Sequence, residues 1–132
     1  MSRQGISPVG WYVVTLVERF ECCDEDKSDP DRQCVIWENI ILVKAKDAKA
    51  AYDKAMDFGN QQQDENITEY QGYKGRWIFE GISDLVPIYE EIGDLSEIMW
   101  VEHENVVVKN IKKWIYSKEK LFSLAEFSHS PH

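Results

Sequence analysis

A carboxylate on an otherwise apolar strand face is the first place in this chain where chemistry could sit. Glu18 lies in the run Trp11–Glu21, where alternation puts it on one face with Val14, Leu16 and Phe20. A covered, unpaired carboxylate costs several kcal/mol, or its pKa rises until it is neutral. Asn39, in the run Cys34–Ala45, falls opposite Glu18 when the two runs close symmetrically. Glu18, Asn39 and Trp37, joined by Trp77, are the candidate ligand-binding residues, and they predict a concave pocket over a sheet around a carboxylate with a raised pKa. The plainer reading is a satisfied polar contact on a partly covered face. Glu18→Gln separates the two, because only the ligand-binding reading needs the charge.

Other reactive side chains are present without a motif around them. There is no Walker loop, dinucleotide glycine fingerprint, zinc spacing or nucleophile elbow. No catalytic residue, cofactor or metal site is therefore assigned. The three cysteines are odd in number and include the adjacent Cys22 and Cys23, which suits a reducing compartment better than a secreted disulfide framework. Symmetric closure brings Cys23 opposite Cys34 and leaves a disulfide or a metal contact open as alternatives. His103, His129 and His132 are too distant in sequence to complete a ligand set by spacing. Lys109, Lys112 and Lys113 share one side of a predicted helix. A solvated face is the plain reading, since the Arg, aromatic and glycine partners of a phosphate site are missing.

The elements that must position these residues begin with a long hairpin. Both runs are rich in β-branched and aromatic residues and contain no Pro or Gly, whereas the loop Asp24–Arg32 carries Pro30 and several Asp. The symmetric register pairs Phe20 with Trp37, Leu16 with Ile41 and Val14 with Val43 on one face. On the other it pairs Arg19 with Glu38 and Val17 with Ile40. Asp47 reads as the N-cap of a helix carrying Ala48, Ala51, Tyr52, Ala55 and Met56, with Gly59 as its left-handed C-terminal residue. Ile67–Tyr73 reads as an irregular or edge strand, Arg76–Ile82 as a stronger strand, and Glu97–Val101 as a short last one. Gly72 and Gly75 mark a turn or bulge. Asn105 is expected to cap a helix through Ile115, and Ser117 a final one over Lys118–Glu126. The predicted fold class is α+β, a two-layer domain with an antiparallel sheet built on the N-terminal hairpin. Its order is ββαββ(β), followed by C-terminal helices. One domain spans residues 1–132, with a core from about 10 to 126 and loose tails at 1–9 and 127–132.

Composition bounds the partners. A hydrophobic content of 43% is that of a globular chain, and 5 Trp in 132 residues is rich in anchors for a core or an interface. The net charge of −9 repels phosphates, so nucleic acid is not an expected partner. Met1–Gly10 lacks the apolar segment of a signal peptide, and no apolar run approaches the roughly 18–20 residues of a membrane span, so a cytoplasmic location is expected and no membrane partner.

Trp11-Tyr12-Val13-Val14, Trp37-Glu38 and Ile40–Ala45 form one pattern with Ala51-Tyr52 and Lys54-Ala55 in the helix. It continues through Trp77–Ile82 and Asp84-Leu85 to Asp94 and Glu97-Ile98. The pattern resembles the bacterial domain-of-unknown-function family 4288 from about Gly10 to Leu121. The resemblance implies a bacterial, cytosolic, single-domain protein and carries no activity with it. The functional expectation is a noncatalytic interaction module with an unidentified protein partner of basic charge, of the immunity or inhibitor type, with homodimerisation through a sheet edge or face as a further option. The alternative is a small-molecule-binding domain or small enzyme with its pocket near Glu18 and Asn39.

Overall fold

The computed structural model of the chain describes residues 6–126, in two compact units divided after Trp100. In the first, four strands build one antiparallel sheet: β1 (Trp11–Cys22), β2 (Val35–Lys44), β3 (Thr68–Tyr70) and β4 (Tyr73–Pro87). Their spatial order is β2-β1-β4-β3, so the first strand is interior and the second forms a sheet edge. Helix α1 (Ala48–Gln62) follows β2. The α+β class and the element order through β4 are those predicted.

The hairpin forms with its faces as read but its register displaced by two residues. Val14 pairs with Ile41, Leu16 with Asn39, Glu18 with Trp37 and Phe20 with Val35. A two-residue shift keeps every side chain on its face, so the alternation of apolar positions is satisfied by both registers. The far end of the hairpin decides between them. β1 runs on past Phe20 against β4, pairing Glu21 with Arg76 and Cys22 with Gly75. The Cys23 amide then donates to the Lys74 carbonyl at 2.9 Å, and the Cys22 amide to the Glu25 carboxylate at 2.9 Å. The end of β1 thus belongs to β4 and the loop, and Cys23 does not face Cys34 across the hairpin.

One sheet face is closed by α1. Tyr12, Val14 and Leu16 of β1 pack with Val43 of β2 and with Ala51 and Ala55 of the helix, flanked by Ile41, Phe79, Ile82 and Leu85. The small alanines let the helix lie close to the sheet. Asp47 caps it as expected, accepting from the Ala50 amide at 2.8 Å. Gly59 does not end the helix. It is buried one turn inside, where a Cβ would fall 2.4 Å from Phe79 Cζ; the residue is small because an aromatic ring lies on it. Ser7 ties the start of the described chain to the end of β4: its amide donates to the Tyr12 hydroxyl at 2.9 Å and its hydroxyl to the Ile88 carbonyl. The loose segment expected at 1–9 is therefore anchored from Ser7, and residues 1–5 and 127–132 lie outside the described residues.

β4 is longer than its sequence suggested and carries two irregularities against β1, at Ser83 and at Glu80, on either side of Gly81. β3 and β4 meet through the two-residue turn Gln71-Gly72, with positive φ at both positions, a geometry that suits the twist of a tight hairpin. Glu97–Val101 is not a strand. Its residues Glu97–Trp100 line a cleft with Pro87, Tyr89 and Glu90 instead of pairing with the sheet.

The second unit holds a 3-10 helical stretch, Val108–Trp114, and helix α2 (Lys118–Glu126). The stretch begins three residues after Asn105, which has a left-handed backbone with φ 61°. The Val106–Val108 run that leads into it is β-branched and poorly suited to an α-helical first turn. Ser117 caps α2 as read, its hydroxyl accepting from the Lys120 amide at 3.1 Å.

Candidate functional site

The sheet register sorts the candidate residues row by row. On the closed face, Trp37 of β2, Glu18 of β1 and Phe79 of β4 form one row, and Val35, Phe20 and Trp77 the next. The Asn39 side-chain amide donates to the Glu18 carboxylate at 2.9 Å. Asn39 pairs directly with Leu16, so this contact is diagonal, a reach open to a side chain of that length. The Trp37 and Trp77 ring centroids are 4.7 Å apart, and Tyr70 lies 5.8 Å from Trp37 and 5.4 Å from Trp77. Glu18, Asn39, Trp37 and Trp77 are thus assembled beside the helix-covered part of the face, where Gly59 of α1 lies on Phe79 of the same row as Glu18. At these separations the rings are in mutual contact, in tilted and edge-on geometries that favour aromatic pairs. Entry of a ligand between the two indoles requires the pair to part.

The opposite face has no helix of the first unit over it, but Val13 and Thr15 of β1 are buried there at 2% and 7% exposure, so its open part is the β2 side together with Asp84. From β2 to β4 its rows read Leu42–Val13–Val86, Ile40–Thr15–Asp84, Glu38–Val17–Gly81 and Ile36–Arg19–Ile78. Ile36 is 56%, Ile40 60% and Leu42 47% exposed, so β2 presents an aliphatic strip to solvent. Carboxylates stand along it: Glu38 and Asp84 are both exposed, and Ser83 Oγ lies 3.4 Å from Glu38.

At one end of this open face sits a charge network that the sequence reading missed. Arg19, expected to meet Glu38, instead donates through Nε to Glu80 at 2.6 Å and lies 3.6 Å from Glu21 and 3.8 Å from Glu25. The hydrogen bond to Glu80 raises the Arg19 pKa against the opposing effect of burial. Glu80 reaches it because it is the extra residue of the β4 irregularity. Arg32 binds Glu25 at 2.7 Å, Lys27 and Arg76 each reach Glu21 at 3.3 Å, and Arg76 also bonds Glu65. The acidic loop is thereby fastened to the sheet. Burial pushes the Glu21 carboxyl upward, but Lys27 and Arg76 outweigh it and hold the pKa below its ordinary value.

A depressed folded-state pKa contributes stability that is present above the unfolded value, about 4.3, and is lost as pH falls through the folded value. Denaturant titrations at a series of pH values should show stability falling below about pH 4.5, with a shallower fall for Glu21→Gln. Identical pH slopes for the two chains would remove Glu21 from the account.

Cys22 is half-buried, Cys23 and Cys34 are exposed, and all three are free thiols. Burial, followed by Asp24 and Glu25, pushes the Cys22 thiol up, which disfavours the nucleophilic thiolate. Lys109, Lys112 and Lys113 are exposed on the 3-10 stretch. Beyond the end of β4, a cleft of about 310 Å³ is lined by Pro87, Tyr89, Glu90 and Glu97–Trp100. None of the four candidate residues lines it. No helix among the described residues is long and apolar enough to cross a membrane.

A family model described as a domain of unknown function, DUF4288, matches residues 11–100. The chain belongs to this family. The match opens at the first residue of β1 and closes at Trp100, where the first compact unit ends, so the family domain is the sheet with α1 and the segment after β4. Both the aromatic cluster and the open face lie within it, and the 3-10 stretch and α2 lie outside. No curated protein matches the chain, and no solved structure does.

Proposed function

We propose that this protein is a noncatalytic interaction module whose open sheet face docks a basic protein partner, in the manner of an immunity or inhibitor protein of the bacterial cytoplasm. The observation that carries this reading is the exposed strip of Ile36, Ile40 and Leu42 with Glu38 and Asp84 beside it. Completing the burial of three half-exposed aliphatic side chains is worth about 1 kcal/mol each at 25 cal/mol per Å². The flanking carboxylates, in a chain of net charge −9, select a partner of opposite sign and speed its approach more than they tighten the complex.

The test is affinity capture from the native host's lysate, eluted by a salt gradient and run beside an Asp84→Lys chain. Asp84 is exposed on this face and its carboxylate bonds only the Leu85 amide among the contacts described, so the substitution leaves the core alone. The expected result is one basic protein, released at moderate salt from the original chain and at least several-fold depleted on the variant. Equal capture by both chains, or capture of no basic protein, would overturn the reading.

A further inference from the structure

We infer that β2 is a self-association edge, and that two copies of this chain pair their β2 strands antiparallel, with Glu38 of each facing Lys44 of the other. The inference is independent of the basic partner and rests on the strand's backbone and charge pattern.

The two edges of the sheet are unlike. On the far side, β3 covers only Tyr73–Gly75 of β4, and the remaining edge of β4 is broken by two irregularities around Gly81, with the Phe79 amide already taken by Gln63 Oε1 at 2.9 Å. β2 is ten residues long, without Pro, Gly or a register break against β1. Its outward backbone groups can be assigned. The Ala45 amide donates inward to the Gly10 carbonyl at 3.0 Å, extending the ladder by one pair. Strand groups alternate, so Val43, Ile41, Asn39 and Trp37 also point inward, and Lys44, Leu42, Ile40, Glu38 and Ile36 point outward. Lys44 agrees, because its carbonyl accepts from Lys54 Nζ rather than from β1. The residues with outward backbone groups are the same ones whose side chains lie on the open face.

A two-fold axis through such an edge pairs each residue with its mirror in the other copy. An axis at Ile41 sets Glu38 opposite Lys44 twice and Ile40 opposite Leu42 twice, all on the open face. An axis at Ile40 would set Glu38 against Leu42 and Ile36 against Lys44, and one at Asn39 would set Glu38 against Ile40. The Ile41 axis alone of these three matches charge with charge and aliphatic with aliphatic. Both charged groups are lightly held at present: Glu38 by Ser83 at 3.4 Å, and Lys44 Nζ over the Trp11 ring at 5.9 Å. Pairing would satisfy the outward amides and carbonyls of Glu38, Ile40, Leu42 and Lys44, the Lys44 carbonyl accepting on its second lone pair beside Lys54 Nζ, and join the two aliphatic strips across the axis. It would also remove an edge open to uncontrolled association.

Sedimentation equilibrium of the full chain, alone and at increasing concentration, tests this. A monomer–dimer equilibrium is expected. Glu38→Lys and Lys44→Glu each place two like-charged pairs at the contact and should weaken the dimer about tenfold, whereas the double exchange should recover most of it. Circular dichroism will establish that the exchanged chains are folded. A chain monomeric into the hundreds of micromolar, or a dimer indifferent to both single substitutions, would overturn the proposal. So would a double exchange no better than the singles. Because Asp84 is outside the β2 edge, Asp84→Lys should leave the dimer unchanged, and failure of the basic-partner reading is thus distinguishable from failure of this one.

Discussion

Gly75→Ala is expected to lower the stability of the domain by about 3 kcal/mol or more, at the upper end of what overpacking costs. Gly75 sits on β4 opposite Cys22, where β1 and β4 pair beyond the end of the β1–β2 ladder. An added Cβ would lie 2.2 Å from the Glu21 carbonyl oxygen and 2.7 Å from Phe20 Cζ. The first neighbour is backbone in an interior strand and cannot rotate away. The second is a ring already held by Trp77 and Tyr70. Relief requires the two strands to separate at the point where the Cys23 amide reaches the Lys74 carbonyl.

Gly72 is the control. Its φ of +84° makes alanine there strained by about 1–2 kcal/mol, but nothing lies within 4 Å of the added carbon. Urea titrations should rank Gly75→Ala as the more damaging by a clear margin. The opposite rank would mean that backbone conformation, rather than close approach, governs this end of the sheet.

The same end explains what could be read from the sequence and what could not. Alternation fixes the face on which each hairpin residue lies, which is why Glu18, Asn39 and Trp37 share one face as read. It cannot fix register, because a two-residue slip leaves each face unchanged. The deciding contacts come from β4 and from Glu25 inside the loop, and are remote from the pairs being compared. Glu18 and Asn39 meet in spite of the displaced register, since a diagonal neighbour is within reach of an amide. Glu38 stands in the same diagonal relation to Arg19, but the guanidinium is taken instead by Glu80, Glu21 and Glu25. Gly81 within a strand pattern was the available signal for the irregularity that brings Glu80 there. Gly59 shows the converse limit. A glycine near a helix end reads as a cap, and only the ring of Phe79, twenty residues on in sequence, shows that the position demands smallness.

Phe20→Ala should be similarly severe, costing about 3–5 kcal/mol. Phe20 is 3% exposed in the interior strand, with Tyr70 of β3 at 5.6 Å and Trp77 of β4 at 5.2 Å between ring centroids. Removing it leaves a void bordered by rings on two other strands and by the bare backbone of Gly75, which has no side chain with which to fill it. Such a site collapses poorly, and poor collapse is what separates the costly large-to-small substitutions from the mild ones. Trp37→Ala is the informative comparison. Trp37 is half-buried on the edge strand and its loss opens the cluster outward, so a smaller cost is expected, with a marked change in the near-ultraviolet circular dichroism of the Trp37–Trp77 pair. If Phe20→Ala costs less than about 1 kcal/mol, the rings are not acting as a core. Their convergence around Glu18 and Asn39 would then need another reason, and a ligand seat between the two indoles becomes the reading to pursue. A loss of the expected size makes the cluster a second hydrophobic core that holds the end of the hairpin, and leaves the open face as the surface on which function must be sought.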